Sequence, residues 1–358
     1  MSPVLRHKNK EREMANIIYA KSSGKLDPLY GKLETPLKMI IEHESDNCEK
    51  RNDIRKKLFN LEKSNKFGET IIGSSDFDTF QAVVEGAGAE NDSIETTYKK
   101  FIEHIQFMKE FTITAEMMED ANHGVSADAR RRAEQFTRAY YKTMNKICEK
   151  ALVNGTAKTF KFAKATVDTS THDDLPLFHK AHKLNTGKTQ ANRFCAAGIA
   201  SSTEAFEKAL NVFANKMRNF KDENGETLGY IADVVIIPGN QPGLEAIVKK
   251  VCGSERTTGN GNNDINIQYG NWDIVVLTEW TPDTPQFMLM SSEANKNLAG
   301  NMFFNRVPLK VTDWVDNHTG NFIWTGRCRF GVGFGSYKHI LLAQEGATVD
   351  GCEAVTIA

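Results

Sequence analysis

Nowhere in the 358 residues do about 20 apolar residues run together, the length a membrane-spanning helix needs. The opening MSPVLRHKNKEREM has no apolar h-region, so a secretory signal is not expected. There is no C-x-x-C pair. The six cysteines (Cys48, Cys148, Cys195, Cys252, Cys328 and Cys352) are scattered, which argues against a zinc site or a disulfide framework and for reduced thiols. A surplus of one charge is missing too. With 45 Lys+Arg against 46 Asp+Glu, the net of −1 lacks the basic excess of a typical nucleic-acid binder. The short basic runs RHKNKER and KRNDIRKK read as solvated helix faces.

Catalytic motifs are equally scarce. No G-x-S-x-G elbow and no H-E-x-x-H occurs. The turn PGNQPG, between the apolar run Val234–Ile237 and an amphipathic stretch, has the strand–turn–helix layout of a phosphate site. It lacks the Lys and hydroxyl of a P-loop, and its prolines remove N–H donors, so it reads as structural. Gly331, Gly333 and Gly335 in RFGVGFGSY have neither the spacing nor the following helix of a dinucleotide site. They read as bulges or close backbone approach. THDDLPLFHKAH is the best metal candidate, with His172, Asp173, Asp174, His179 and His182. Its H-x-x-H follows a proline in an irregular region, and a polar loop is the expectation. Cys148 and Cys252 fall in amphipathic helices and read as packed. The sequence therefore predicts no catalytic, cofactor-binding or metal-binding residues, and no enzyme.

What is present is a mixture of helices and strands, α+β, with no fixed-period repeat. Residues 1–70 are charged, broken by Gly24, Pro28 and Pro36, and without a clean apolar stripe; they look like an arm that lies along something else. From Gly73 to Thr114, β-favouring residues flank a Gly/Ala/Asn/Asp centre, the pattern of a long hairpin that is marginal without a supporting surface. The strongest helix is VSADARRRAEQFTRAYYKTMNKICEKALVNG. Ser126 is its expected N-cap, Asn154-Gly155 its stop, and Ala129, Ala133, Phe136, Tyr140, Met144, Ile147 and Ala151 its buried stripe. Residues 155–200 look irregular and polar. In SSTEAFEKALNVFANKMRNF, Ser201 and Glu204 are spaced as a capping box, and Phe206, Ala209, Leu210, Phe213 and Met217 form a stripe. The runs WDIVVL, QFMLM, NFIWTGRCRFGVGF and YKHILLAQ read as strands, and GSERTTGNGNND (253–264) as a Gly/Asn loop.

The order of these phrases resembles the tailed-phage major capsid proteins with the HK97-type fold. TITAEMMED (112–120) is similar to that family's phrase between the hairpin's return strand and a long spine helix ending in NG, here Asn154-Gly155. LPLFHKAHKLNTG, ENGETLGYIADVVIIPGNQPGLEAIVKKV and NWDIVVLTEW resemble, in order, phrases of the Mu-like major head subunits. The resemblance spans roughly residues 70–345.

The resemblance implies an N-terminal arm (1–70), an extended loop (71–112), and a peripheral domain (113–200) with spine helix 126–153. It also implies an axial domain (201–299), then return strands of the peripheral domain and the C-terminus (300–358). It implies a shell protein that assembles with its own copies into hexamers and pentamers, without a cofactor, around double-stranded DNA read without sequence specificity. Portal and possibly scaffold or decoration proteins would be its partners, with no membrane. Its place would be the virion, assembled in the bacterial cytoplasm. Residues 1–70 show no clear cleavage boundary for a removable scaffold segment. Two other readings stand beside it: an encapsulin-like compartment holding protein cargo, and a metal-dependent hydrolase using His172, His179 and His182.

Overall fold

The three-and-four spacing of apolar residues after Ala127 produces one helix, Ala127–Val153, of 27 residues, about 40 Å long at 1.5 Å per residue. Its stripe is buried as the spacing requires, Ala133, Met144, Ile147 and Ala151 completely. Asp128 in the first turn and Lys150 in the last suit the helix dipole. At the C-terminal end Gly155 is required, because a Cβ there would stand 2.9 Å from the Phe178 ring. The computed structural model describes residues 17–19, 30–74, 82, 96–119, 127–256 and 265–357; the expected cap Ser126 lies outside them. The chain divides into two compact units, and the long helix contributes residues to both.

The first unit gathers residues 1–52, 106–143 and 306–330. Its N-terminal part corrects the expectation of a broken, coreless arm. Tyr30–Glu49 is one helix that passes through Pro36, although an interior proline typically costs about 3 kcal/mol. The offset comes from a buried stripe: Leu37, Ile41, Glu44, Ser45 and Cys48. Two of those five are polar, so no apolar stripe is visible in the sequence. Both have partners on the long helix: Ser45 Oγ lies 2.7 Å from Tyr141 OH, and Arg138 Nε donates to Glu44 Oε1 at 2.5 Å. In the same unit Phe111 lies between Phe136 and Trp324, with ring centroids at 5.1 and 6.1 Å. Gly326 leaves room for Phe136, whose ring would be 2.3 Å from an added Cβ. Ile17–Tyr19 pairs in parallel with Leu309–Val311 of the long strand Asn301–Val315. In that sheet the next strand is Phe322–Phe334, followed by Ile105–Ile113.

The second unit holds residues 53–105, 144–305 and 331–358. Its six-stranded sheet runs in the order Asp273–Leu277, Val234–Pro238, Gln286–Met290, Ile340–Glu345, Arg193–Ala196, Glu353–Ala354. Val234–Pro238 is buried along its whole length, parallel to Asp273–Leu277 and antiparallel to Gln286–Met290. A continuous VVIIP run is what a strand covered on both faces requires. Helices Thr203–Arg218 and Pro242–Gly253 supply Phe206, Phe213, Val248 and Val251 to its core. The capping box does not form. Ser202 is the N-cap, accepting from Ala205 N–H, so Glu204 falls one position short of the reciprocal bond; Ser201 Oγ donates to Gly198 O at 3.0 Å.

The hairpin arms are Gly68–Ser74 and Thr96–Glu103, antiparallel with Thr70 opposite Phe101. The tip falls among residues 75–95, of which only 82 is described. The return arm is shorter than expected. It ends at Glu103, and after His104 the chain enters the separate strand Ile105–Ile113. The hairpin base finds a supporting surface within the chain: Ile71 and Ile102 pack with Met302 and Phe304. Three glycines open that surface. An added Cβ would stand 2.9 Å from Glu103 O at Gly331, 2.6 Å from Ile102 at Gly333 and 2.3 Å from Ala299 O at Gly335. Close backbone approach, rather than nucleotide binding, explains the G-x-G-x-G stretch.

Candidate functional site

The stretch read as a polar loop is irregular, with Asp174 and Lys180 exposed, but His172, Asp173 and His182 turn their side chains into a buried knot in the second unit. Asp173 has Thr171 Oγ1–H on one oxygen at 2.6 Å and His182 Nδ1–H on the other at 2.8 Å. His182 is fully buried, and its Nε2 lies 3.2 Å from Asn192 Oδ1. Asn192 fixes the polarity of that contact. Its amide nitrogen donates to the carbonyls of Leu177, Tyr337 and Ile340 (2.7, 3.4 and 3.3 Å), so its oxygen must accept. Both His182 nitrogens therefore face acceptor oxygens.

Rings stack along one line: Tyr98 on His172 at 4.0 Å, His172 beside Tyr337 at 5.9 Å, Tyr337 on His182 at 3.7 Å. His172 Nδ1 donates to Gly335 O at 3.2 Å, and its Nε2 lies 3.7 Å from Glu223 Oε1. Burial pulls the His172 pKa down, against the pull of Asp173 and Glu223. Glu223 is held by Lys338 Nζ at 2.6 Å, both side chains buried. His179 uses Nδ1 to accept from Ala181 N–H, and burial together with the charge of His182 lowers its pKa.

The three histidines singled out by sequence thus come near one another but are not aimed at a common point. His172 and His182 spend nitrogens on protein acceptors, and Asp174 is exposed, with its backbone N–H bonded to Thr171 O at 3.2 Å. Among the described residues no three His, Cys, Asp or Glu side chains are grouped as a metal ion would need. Sequence reasoning misses Asn192 and Glu223, because QANRF and KDENGE have ordinary loop composition, and Tyr337 and Lys338, because they open a run that reads as a strand.

Asp173 also gives the knot a pH dependence. Burial alone would raise its carboxyl pKa, but the hydrogen bond and charge of His182, with Thr171, outweigh it and hold it well below the usual range. A carboxyl depressed in the folded state contributes stability above its unfolded pKa near 3.9, lost as pH falls through the folded value. Wild-type stability should therefore decline below about pH 5. Asp173→Asn should be less stable at pH 7 and flatter through that window. Equal pH slopes of urea midpoints for the two proteins would remove Asp173 from the account.

The PGNQPG turn is held by its side-chain amides. Gln241 Nε2 donates to Pro282 O and Thr284 O (3.2 and 2.8 Å), Asn240 Nδ2 to Pro282 O (3.0 Å), and Pro242 begins the helix. It joins packed elements.

Exposed apolar side chains mark other surfaces. The outer hairpin face carries Ile72 and Phe101, 60% and 51% exposed, and its inner face carries the buried Ile71 and Ile102. Ile265 and Ile267, 84% and 83% exposed, follow the Gly/Asn loop, whose residues 257–264 are outside those described.

A family model described as phage capsid protein matches residues 100–343, well over half of the chain. The chain belongs to the phage capsid protein family. In this capsid protein the matched span opens in the hairpin's return strand and closes in Ile340–Glu345; the helix Tyr30–Glu49 precedes it. Capsid membership makes it a virion component. A sequence search of curated proteins gives no match. Among solved structures the capsid protein is similar to the capsid of an empty GTA particle, 13% identical, TM-score 0.48, covering 82% of this chain and 89% of that one. It is similar to the capsid of Myoviridae phage XM1 at 12% and 0.46, covering 80% and 90%. It is also similar to a virus-like particle from Pyrococcus furiosus at 10% and 0.46, covering 86% and 98%.

Proposed function

We propose that this capsid protein has the HK97-type arrangement, nearest the Mu-like head subunits, and closes into an icosahedral shell of hexamers and pentamers around double-stranded DNA. The family match over residues 100–343 carries the reading. The long helix is its spine, 201–299 its axial domain and the hairpin its extended loop. The outer face supports self-association, since the inner hairpin face is already occupied while Ile72 and Phe101 stand open among polar neighbours. Portal, scaffold or decoration partners and assembly in the host cytoplasm belong to the same reading.

The purified full chain should sediment as rings or shells and appear so in negative stain. A monodisperse monomer at high concentration, with residues 71–112 ordered, would sink the proposal. Shells from the producing cell that hold a protein instead of nuclease-protected DNA would turn the reading to a cargo compartment.

The Gly/Asn loop is assigned to contacts between copies near a capsomer axis. Gly253 closes the preceding helix, Gly259 and Gly261 allow unusual backbone angles, and Asn260, Asn262 and Asn263 can bond across copies without stacking like charge. Glu255 and Arg256 can pair between neighbours. Shortening 256–263 to a tight glycine turn touches no buried stripe, so subunit melting should stay within a few degrees while shell yield falls. Parental shell yield from the shortened chain would refute the assignment.

A further inference from the structure

The C-terminal segment rejoins the six-stranded sheet by a strand of only two residues, Glu353–Ala354, both exposed. Phe194 stands opposite Glu353 and Cys195 opposite Ala354, and Val355 N–H adds a bond to Cys195 O at 2.8 Å. So short an edge strand has little of its own to hold it. Two thiols meet beside it. Cys352 Sγ lies 2.9 Å from Gln344 Oε1 and Cys195 Sγ 4.0 Å from Ala347 O, so both sulfurs stand over the 344–347 segment. Cys195 stands directly opposite Gln344 in the sheet, so the two thiols flank one side chain. Cys195 is buried and Cys352 is half-buried, while Cys48, Cys148, Cys252 and Cys328 are buried. Arg193 is the nearby cation: its Nε donates to Gln344 Oε1 at 3.0 Å, and its Nη1 would be 2.9 Å from a Cβ on Gly351.

We propose that Cys195 and Cys352 form a redox pair whose disulfide fastens the C-terminal strand to the sheet. The oxidant is a low-molecular-weight disulfide, and the chemistry is thiol–disulfide exchange. Cys352, the accessible thiol, loses its proton and attacks one sulfur of the oxidant, forming a mixed disulfide and expelling one thiolate. Cys195 then loses its proton and attacks the Cys352 sulfur, expelling the second thiolate. The two expelled thiolates take up the two protons; the pair gives up two electrons and the oxidant gains them. Burial raises the pKa of the Cys352 thiol, and the charge of Arg193 opposes part of that rise. In a reducing cytosol both remain thiols, and the bond forms in oxidising surroundings. Closing the long loop from 195 to 352 constrains the unfolded chain and stabilises the folded one. The shell reading is not needed for this inference.

The test uses the full folded chain incubated with oxidised glutathione, then alkylated under denaturing conditions and mapped by mass spectrometry. Wild type should lose two of its six thiols and yield a linked peptide pair containing Cys195 and Cys352. Its melting temperature should rise by several degrees, and reductant should reverse both changes. Cys352→Ser should give no linked pair and no rise, and Cys195→Ser should stop at the mixed disulfide. Because both variants keep a small polar side chain, their melting under reductant reports whether they fold. Wild type that keeps all six thiols, or that stops at a mixed disulfide on Cys352, overturns the pair.

Discussion

Phe136→Asp should unfold the first compact unit. Phe136 is 6% exposed, with its ring 5.1 Å from that of Phe111 and against the bare backbone of Gly326. Truncating a buried phenylalanine typically costs about 3–5 kcal/mol, and an unpaired buried carboxylate adds several more. Their sum approaches the whole stability of many domains, roughly 5–15 kcal/mol. Burial holds the alternative in check: the aspartate would shift its pKa and take up a proton rather than remain charged, but the cavity remains. The expected result is loss of helical signal at room temperature, or a melting temperature lowered by well over 10 °C, and no particles. Gln135→Asp, one residue away on the exposed face, should change stability by no more than about 0.5 kcal/mol. Similar melting of wild type and F136D would mean that the stripe does not face the core.

The contrast between those two neighbours explains what the sequence made legible. Helix Ala127–Val153 and the strand Val234–Pro238 bury apolar side chains at their own periods, so hydrophobicity alone locates them. The helix Tyr30–Glu49 was obscured because its buried stripe includes Glu44 and Ser45, whose partners Arg138 and Tyr141 lie over ninety residues away. No local pattern encodes such a pairing. The hairpin's arms were visible, but not the surface beneath them, since that surface is made by missing side chains at Gly331, Gly333 and Gly335. Those glycines were recognised as a place of close approach, without any sign of what approaches. The cap at Ser202 was misplaced by one residue, within the slack of a serine pair.

The site residues were harder still. THDDLPLFHKAH has the composition of an exposed loop, and polar residues are normally exposed. Here the His172, Asp173 and His182 side chains are buried because bonds and charge are supplied by Asn192, Glu223 and Lys338 from other parts of the chain. A second network is built the same way. His339 Nε2 lies 2.7 Å from Asn301 Oδ1, and Asn301 Nδ2 donates to Leu58 O at 2.9 Å. Burial pushes the His339 pKa down to about 3, so its ring is neutral at pH 7 and Nε2 is the donor.

Asn192→Ala should be the most damaging polar truncation in the second unit. Asn192 is fully buried and its side chain takes part in five hydrogen bonds: three from its amide nitrogen and two to its oxygen, from His179 N–H at 2.9 Å and His182 at 3.2 Å. Alanine leaves three carbonyls, a backbone N–H and a buried imidazole without this partner. Each buried orphan costs about 1–3 kcal/mol, reduced where a group has a second bond or water enters. A net loss of about 4 kcal/mol is expected. Asn192→Leu separates the bonds from the volume, since leucine refills the space but makes none of the bonds. If the hydrogen bonds carry the effect, N192L should melt as low as N192A or lower. The damage should also reach the hairpin, because the imidazole freed from Asn192 is stacked on Tyr337, Tyr337 lies beside His172, and His172 is the platform for Tyr98. Amide exchange at residues 98–102 should therefore quicken in N192A more than exchange in Phe206–Met217. If N192L melts within a degree or two of wild type, the knot contributes volume rather than bonding. If exchange at 98–102 is unchanged in a folded N192A, the stack does not couple the hairpin to the knot.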